Sequence, residues 1–129
     1  MMRSFLSKLF YNSFKPLSKN FIEKVCTSNL EKFTLSRLTE DFNFEEFLAE
    51  IQKKKPKLDV RLFFKKNYKM HERVNAYMEE LLDNGLTDSC PPLFEFGINE
   101  NDRLFINRLK LKHLRNSYLR EFKATILID

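Results

Sequence analysis

The chain is poor in glycine, with two residues in 129, and has no tryptophan. Phosphate-cradling loops need several glycines so that backbone N–H groups can approach the anion. Gly85 and Gly97 have no companions, which excludes nucleotide-binding loops of that kind. Cysteine is equally scarce. Cys26 and Cys90 stand far apart with no second cysteine near either, so they form no disulfide framework and read as reduced, partly buried thiols. A metal site needs three or four clustered ligands. His71 and His113, the two histidines, have no second histidine three or four residues away. Each reads as a histidine on a helix surface or at a core edge. No apolar run approaches the ~18–20 residues of a membrane-spanning helix; stretches such as 124–128 are the longest. No transmembrane segment is expected.

One further absence carries the most information: the first 22 residues, MMRSFLSKLFYNSFKPLSKNFI, contain no acid. They hold Arg3, Lys8, Lys15 and Lys19, four of the 23 basic residues. The remainder has 19 cations against 18 acids, so a net charge of +5 falls to +1 over residues 23–129. Phe5, Leu6, Leu9, Phe10, Phe14, Leu17 and Phe21 recur at helical spacing, opposite the cations and serines. An acid-poor, Ser-bearing, basic amphipathic N-terminus has the pattern of a mitochondrial targeting segment. A helix lying on a membrane surface has a related pattern, so peripheral membrane contact through residues 1–22 is a second reading. No Arg lies between Arg3 and Arg37 to mark a processing site, which favours retention of the segment as a structural helix. The expected organisation is an N-terminal segment, 1–25, and a single helical domain, 26–129. The expected location is mitochondrial, in the matrix or associated with the inner membrane.

What is abundant is phenylalanine, 14 residues, within a composition 43% hydrophobic and 32% charged. Those proportions belong to folded chains rather than disordered ones. Ser28-Asn29-Leu30-Glu31 fits a capping box and predicts a short helix to about Leu38. Asn43-Phe44-Glu45-Glu46 is a second start, with Phe47, Leu48 and Ile51 at helical spacing and a stop by Lys55, ahead of Pro56. A long helix is expected from Asp59 to Asn84, closed by Gly85 in the left-handed conformation. Another is expected from about Asn99 to Lys123. The connection between them, residues 86–99, exceeds the usual helix–helix joint; it holds Cys90-Pro91-Pro92 and then Leu93, Phe94, Phe96 and Ile98. Ile126 and Ile128 could pair with 93–98 as two short strands. The fold class read from this pattern is all-α: an extended helical protein with a long antiparallel helix pair, short N-terminal helices and an apolar connecting loop.

No chemistry is spelled out. Asp88-Ser89-Cys90 would need a base and an oxyanion pocket to act as a nucleophilic site, and Asp88 and Ser89 read more simply as turn formers before two prolines. The chain is therefore expected to be no enzyme and to hold no cofactor and no metal. Two binding surfaces can be named. The apolar loop points to Leu93, Phe94 and Phe96 as anchors, on a partner or in the chain's own core, because aromatic supply exceeds what a small core easily absorbs. The basic last helix offers Arg108, Lys110, Lys112 and Arg115 as phosphate contacts. Near-neutral charge beyond the N-terminus favours the first surface. The expected function is a non-catalytic accessory subunit of a large mitochondrial complex, a respiratory-chain or ATP synthase assembly, with the other subunits as partners. The alternative is a mitochondrial ribosomal protein contacting rRNA through its last helix.

Overall fold

The computed structural model describes residues 8–12, 19–65, 68–96 and 102–123. The fold class is mixed α/β, which corrects the all-α expectation and its long antiparallel helix pair. Strands β1 (Lys8–Asn12), β2 (Lys32–Leu38), β3 (Asp59–Phe64) and β4 (Leu93–Phe96) form one parallel sheet in the order 1-2-3-4. Helices α1 (Lys19–Thr27), α2 (Phe44–Lys54) and α3 (Tyr68–Asn84) cross between successive strands. Helix α4 (Asp102–Tyr118) follows β4 and runs into a π-helical turn, Leu119–Lys123. Right-handed crossovers that always step in one direction place their helices on one face of the sheet.

The burial pattern agrees with that one-sided arrangement. Phe33 and Leu35 of β2, Val60, Leu62 and Phe64 of β3, and Phe94 and Phe96 of β4 alternate onto the inner face. They meet Val25 of α1, Phe47, Leu48 and Ile51 of α2, and Met70, Val74 and Met78 of α3. Phe44 anchors the centre, its ring 5.7 Å from Phe64, 5.8 Å from Phe94 and 5.5 Å from Tyr77. The core therefore absorbs most of the aromatics described. Phe63 and Phe105 are the exposed phenylalanines among the described residues.

The stretches read as helix that are strand have local causes. In β2, the register shifts between Leu35 and Leu38, and Arg37 adopts a φ of 60°. The irregularity turns Leu35 and Leu38, three residues apart, to the same buried side, imitating helical spacing. In β3, Val60, Phe63 and Phe64 lie at helical spacing, but the buried set is Val60, Leu62 and Phe64, a period of two. Asp59 opens that strand rather than capping a helix. Leu93–Phe96 is a strand, not a connecting loop. The N-terminal stretch contributes Lys8–Asn12 as a strand, in register from Lys8 beside Lys32 to Asn12 beside Ser36, before helix resumes at Lys19. Ser28 closes α1, its hydroxyl donating to the Val25 carbonyl at 2.7 Å, and opens no helix. Pro16, Ile126 and Ile128, with the break and the pairing expected there, lie outside the described residues.

Two boundaries match the sequence reading. Asn43 is the N-cap of α2, its side-chain oxygen accepting from the Glu46 N–H at 3.1 Å, and the helix ends at Lys54. Gly85, with a φ of 72°, closes α3. Only a residue without Cβ takes that conformation freely.

Candidate functional site

Helix α4 lies along the free edge of β4 and is held there by polar contacts. Its buried stripe is Leu104, Asn107, Leu111, Arg115 and Tyr118, the three- and four-residue spacing of one helical face. Arg108 donates from Nε to the Phe94 carbonyl at 2.8 Å and from Nη2 to Glu95 Oε2 at 2.6 Å. The first contact occupies an edge carbonyl of β4, one way of covering an otherwise unpaired strand edge. Arg115 reaches Asp59 through both Nη atoms, at 3.0 and 3.2 Å, and donates to the Pro91 carbonyl at 2.6 Å. Burial by itself would raise the Asp59 carboxyl. The hydrogen bonds and charge of Arg115, with lesser help from Arg61, outweigh it and hold the carboxyl below its ordinary range.

On the α3 side, Asn107 donates to Asn75 Oδ1 and Glu79 Oε2, each at 3.1 Å. Arg103 grips the same Glu79, at 2.8 and 2.9 Å, and Glu72 at 3.0 Å. The Arg103 and Asn107 hydrogen bonds pull the Glu79 carboxyl down to about 2. Three arginines of the basic helix are thus bound to the chain's own carboxylates.

The opposite side of α4 is the unusual part. Phe105 is 58% exposed, and Ile106 and Leu109 are each 47% exposed. At 100° per residue these three share a solvent-facing ridge with Lys112 and His113, which are exposed too. Between the ridge and β4 runs a groove of about 80 Å³ lined by Pro92, Leu93, Phe94, Phe105, Leu109, Leu111 and Lys112, with Arg108 and Arg115. Small-molecule sites occupy roughly 300–1,000 Å³, so this groove suits one side chain of a partner. Beyond it lies the outer face of the sheet, where Arg61, Phe63, Leu93 and Glu95 keep partial exposure and stand outside the core cluster. Parallel sheets are ordinarily covered on both faces.

The residues singled out from the sequence are dispersed by the fold. Of the three apolar anchors, Phe94 and Phe96 enter the chain's own core, while Leu93 stays half-buried and lines the groove together with Phe94. Of the four phosphate-contact residues, Arg108 and Arg115 are committed to Glu95 and Asp59, while Lys110 and Lys112 stay exposed. His71 is buried, edge-on to Phe96 at 4.9 Å, and burial lowers its pKa. Cys90 is buried before the other end of β4, roughly 20 Å of extended chain from Phe96. Cys26 and Cys90 are not joined in a disulfide. Among the described residues no group of three His, Cys, Asp or Glu is placed to hold a metal. No described helix is long and apolar enough to cross a membrane.

The ridge was the feature least visible in the sequence. In the sequence Phe105 simply adjoins Leu104, as one more apolar residue of a helical run. Its signal is angular: Phe105, Ile106 and Leu109 fall off the 104–107–111–115–118 stripe and have nothing to face within α4's own packing side.

Comparison of the chain with protein-family models, with curated proteins and with solved structures finds no match.

Proposed function

We propose that the chain is a non-catalytic accessory subunit of a large mitochondrial complex, a respiratory-chain or ATP synthase assembly. The single observation that carries the docking role is the α4 ridge: three large apolar residues, Phe105, Ile106 and Leu109, set on the surface of a helix whose other side is fully engaged. Clustered exposed apolar residues mark interaction sites, whereas scattered ones need no account. The outer sheet face, where Phe63 is 39% exposed, is a second, smaller apolar feature. The mitochondrial address rests on the acid-free N-terminus with its four cations. The ribosomal alternative draws on the same helix, but intramolecular ion pairs engage two of its four phosphate-contact residues. That weighs towards a protein partner, because a cation already neutralised gains less from a phosphate.

Fractionation tests the reading. Mitochondrial extract containing the full chain is run on a native gel and, in parallel, on a gradient that resolves ribosomal subunits. The proposal expects comigration with a respiratory or ATP synthase complex. Co-sedimentation with a ribosomal subunit, or migration as a free monomer, would count against it.

A further inference from the structure

The occupant of the α4 ridge can be specified from the charges that surround it. Lys112 and His113 are exposed among Phe105, Ile106 and Leu109, Lys110 is exposed on the flank towards Glu79, and the one acid in α4 is Asp102, at its first residue. Lys112 also lines the groove, with Leu93, Phe94 and Leu109 and with the ion-paired Arg108 and Arg115. We infer that this face receives an amphipathic helix of another protein subunit, one that inserts an apolar side chain between Leu93 and Leu109 and sets carboxylates against Lys110 and Lys112.

Three features of the surface favour that partner. An amphipathic helix reads a groove through apolar anchors at three- and four-residue spacing, and Phe105, Ile106 and Leu109 present the complementary spacing. A second copy of the same face would bring further cations and, within α4, only Asp102 to oppose them; like charges placed together disfavour the wrong partner. A lipid surface contacts what protrudes, whereas the socket at Leu93 is concave and about 80 Å³ in volume. The inference rests on the subunit reading above, because it names the chemistry of the neighbour that this reading requires.

The test uses the full chain in cells with a photo-activatable cross-linking residue at position 109, and sequences the cross-linked segment by mass spectrometry. The expected adduct is a helical segment with an apolar stripe flanked by Asp or Glu. The charge reversal Lys112→Glu is expected to cut the yield about tenfold, because it sets like charges together, whereas Lys57→Glu, an exposed lysine outside α4, leaves the yield unchanged. A thermal melt of each variant confirms folding. Adducts to lipid, to RNA, to a second copy or to a segment without acids would overturn the inference, as would a yield indifferent to Lys112→Glu. Comigration in a complex together with an acid-free adduct overturns the acidic-helix inference alone. An acidic-helix adduct without comigration overturns the subunit reading alone.

Discussion

Substituting Arg115 by Met should expose how much of the fold depends on one buried ion pair. The side chains of Arg115 and Asp59 are 9% and 7% exposed, and Arg115 also satisfies the Pro91 carbonyl. Removing one partner of a buried pair costs about 3–5 kcal/mol, because the other charge remains buried without compensation. Arg61 stays 3.2 Å from Asp59 Oδ2, which offsets part of the loss, so the expected cost at pH 7 is about 3 kcal/mol. That is a large share of the roughly 5–15 kcal/mol that holds a domain together. The acid dependence has a definite sign. Asp59 has a folded pKa below its unfolded value of about 3.9. Its contribution is present in full above that value and is lost as pH falls through the folded pKa. The gap between wild type and Arg115→Met should therefore be widest near neutrality and close below about pH 4. Urea unfolding followed by circular dichroism at pH 7 and at pH 3.5 measures both. A loss under about 1 kcal/mol at pH 7, or a gap that stays constant with pH, would refute the reasoning. The double variant Asp59→Leu with Arg115→Met should recover most of the loss, since replacing a whole buried pair by apolar groups is often neutral.

Three further outcomes can be measured separately, two from the packing and one from the N-terminal sequence. Phe94→Ala removes a ring buried to 1% exposure between Phe44 and Phe64 and should cost about 3–5 kcal/mol in urea unfolding; a loss near zero would place Phe94 outside the core. Asn43→Ala deletes the α2 cap and should cost about 1 kcal/mol by the same assay. Residues 1–25 fused to a fluorescent reporter should direct it to mitochondria, and glutamate at positions 3, 8, 15 and 19 should abolish this. Cytosolic fluorescence of the intact fusion would remove the mitochondrial address.

The sequence and the structure part company where a strand imitates a helix. At α2 the signals agreed: a capping asparagine, acids in the first turn and Phe47, Leu48 and Ile51 on one face. Gly85 likewise marked its own boundary. At β2 the shift beside Arg37 spaced the buried leucines by three, and at β3 the exposed Phe63 filled a helical position that only tertiary burial could distinguish. Parallel pairing is non-local, since Phe33 meets Val60 and Arg61 meets Leu93, so no short window of sequence contains it. The site was half legible. The basic character of the last helix was plain, yet which arginines serve the fold depends on Glu95, Asp59 and Glu79, which lie 13 to 56 residues away. The exposed ridge emerged only once α4's packing side was known.

The most direct measurement compares assembly with folding for a single change on that ridge. Leu109→Glu places a charge on a residue 47% exposed and outside the buried stripe of α4. Surface substitutions of that kind usually move stability by no more than about 0.5 kcal/mol. The same change at an interface core is disruptive. Wild type and Leu109→Glu are expressed side by side, and the fraction of each in the high-molecular-weight band of a native gel is read against its melting temperature. The account predicts an unchanged melt with incorporation largely lost. Equal incorporation of the two chains would contradict it.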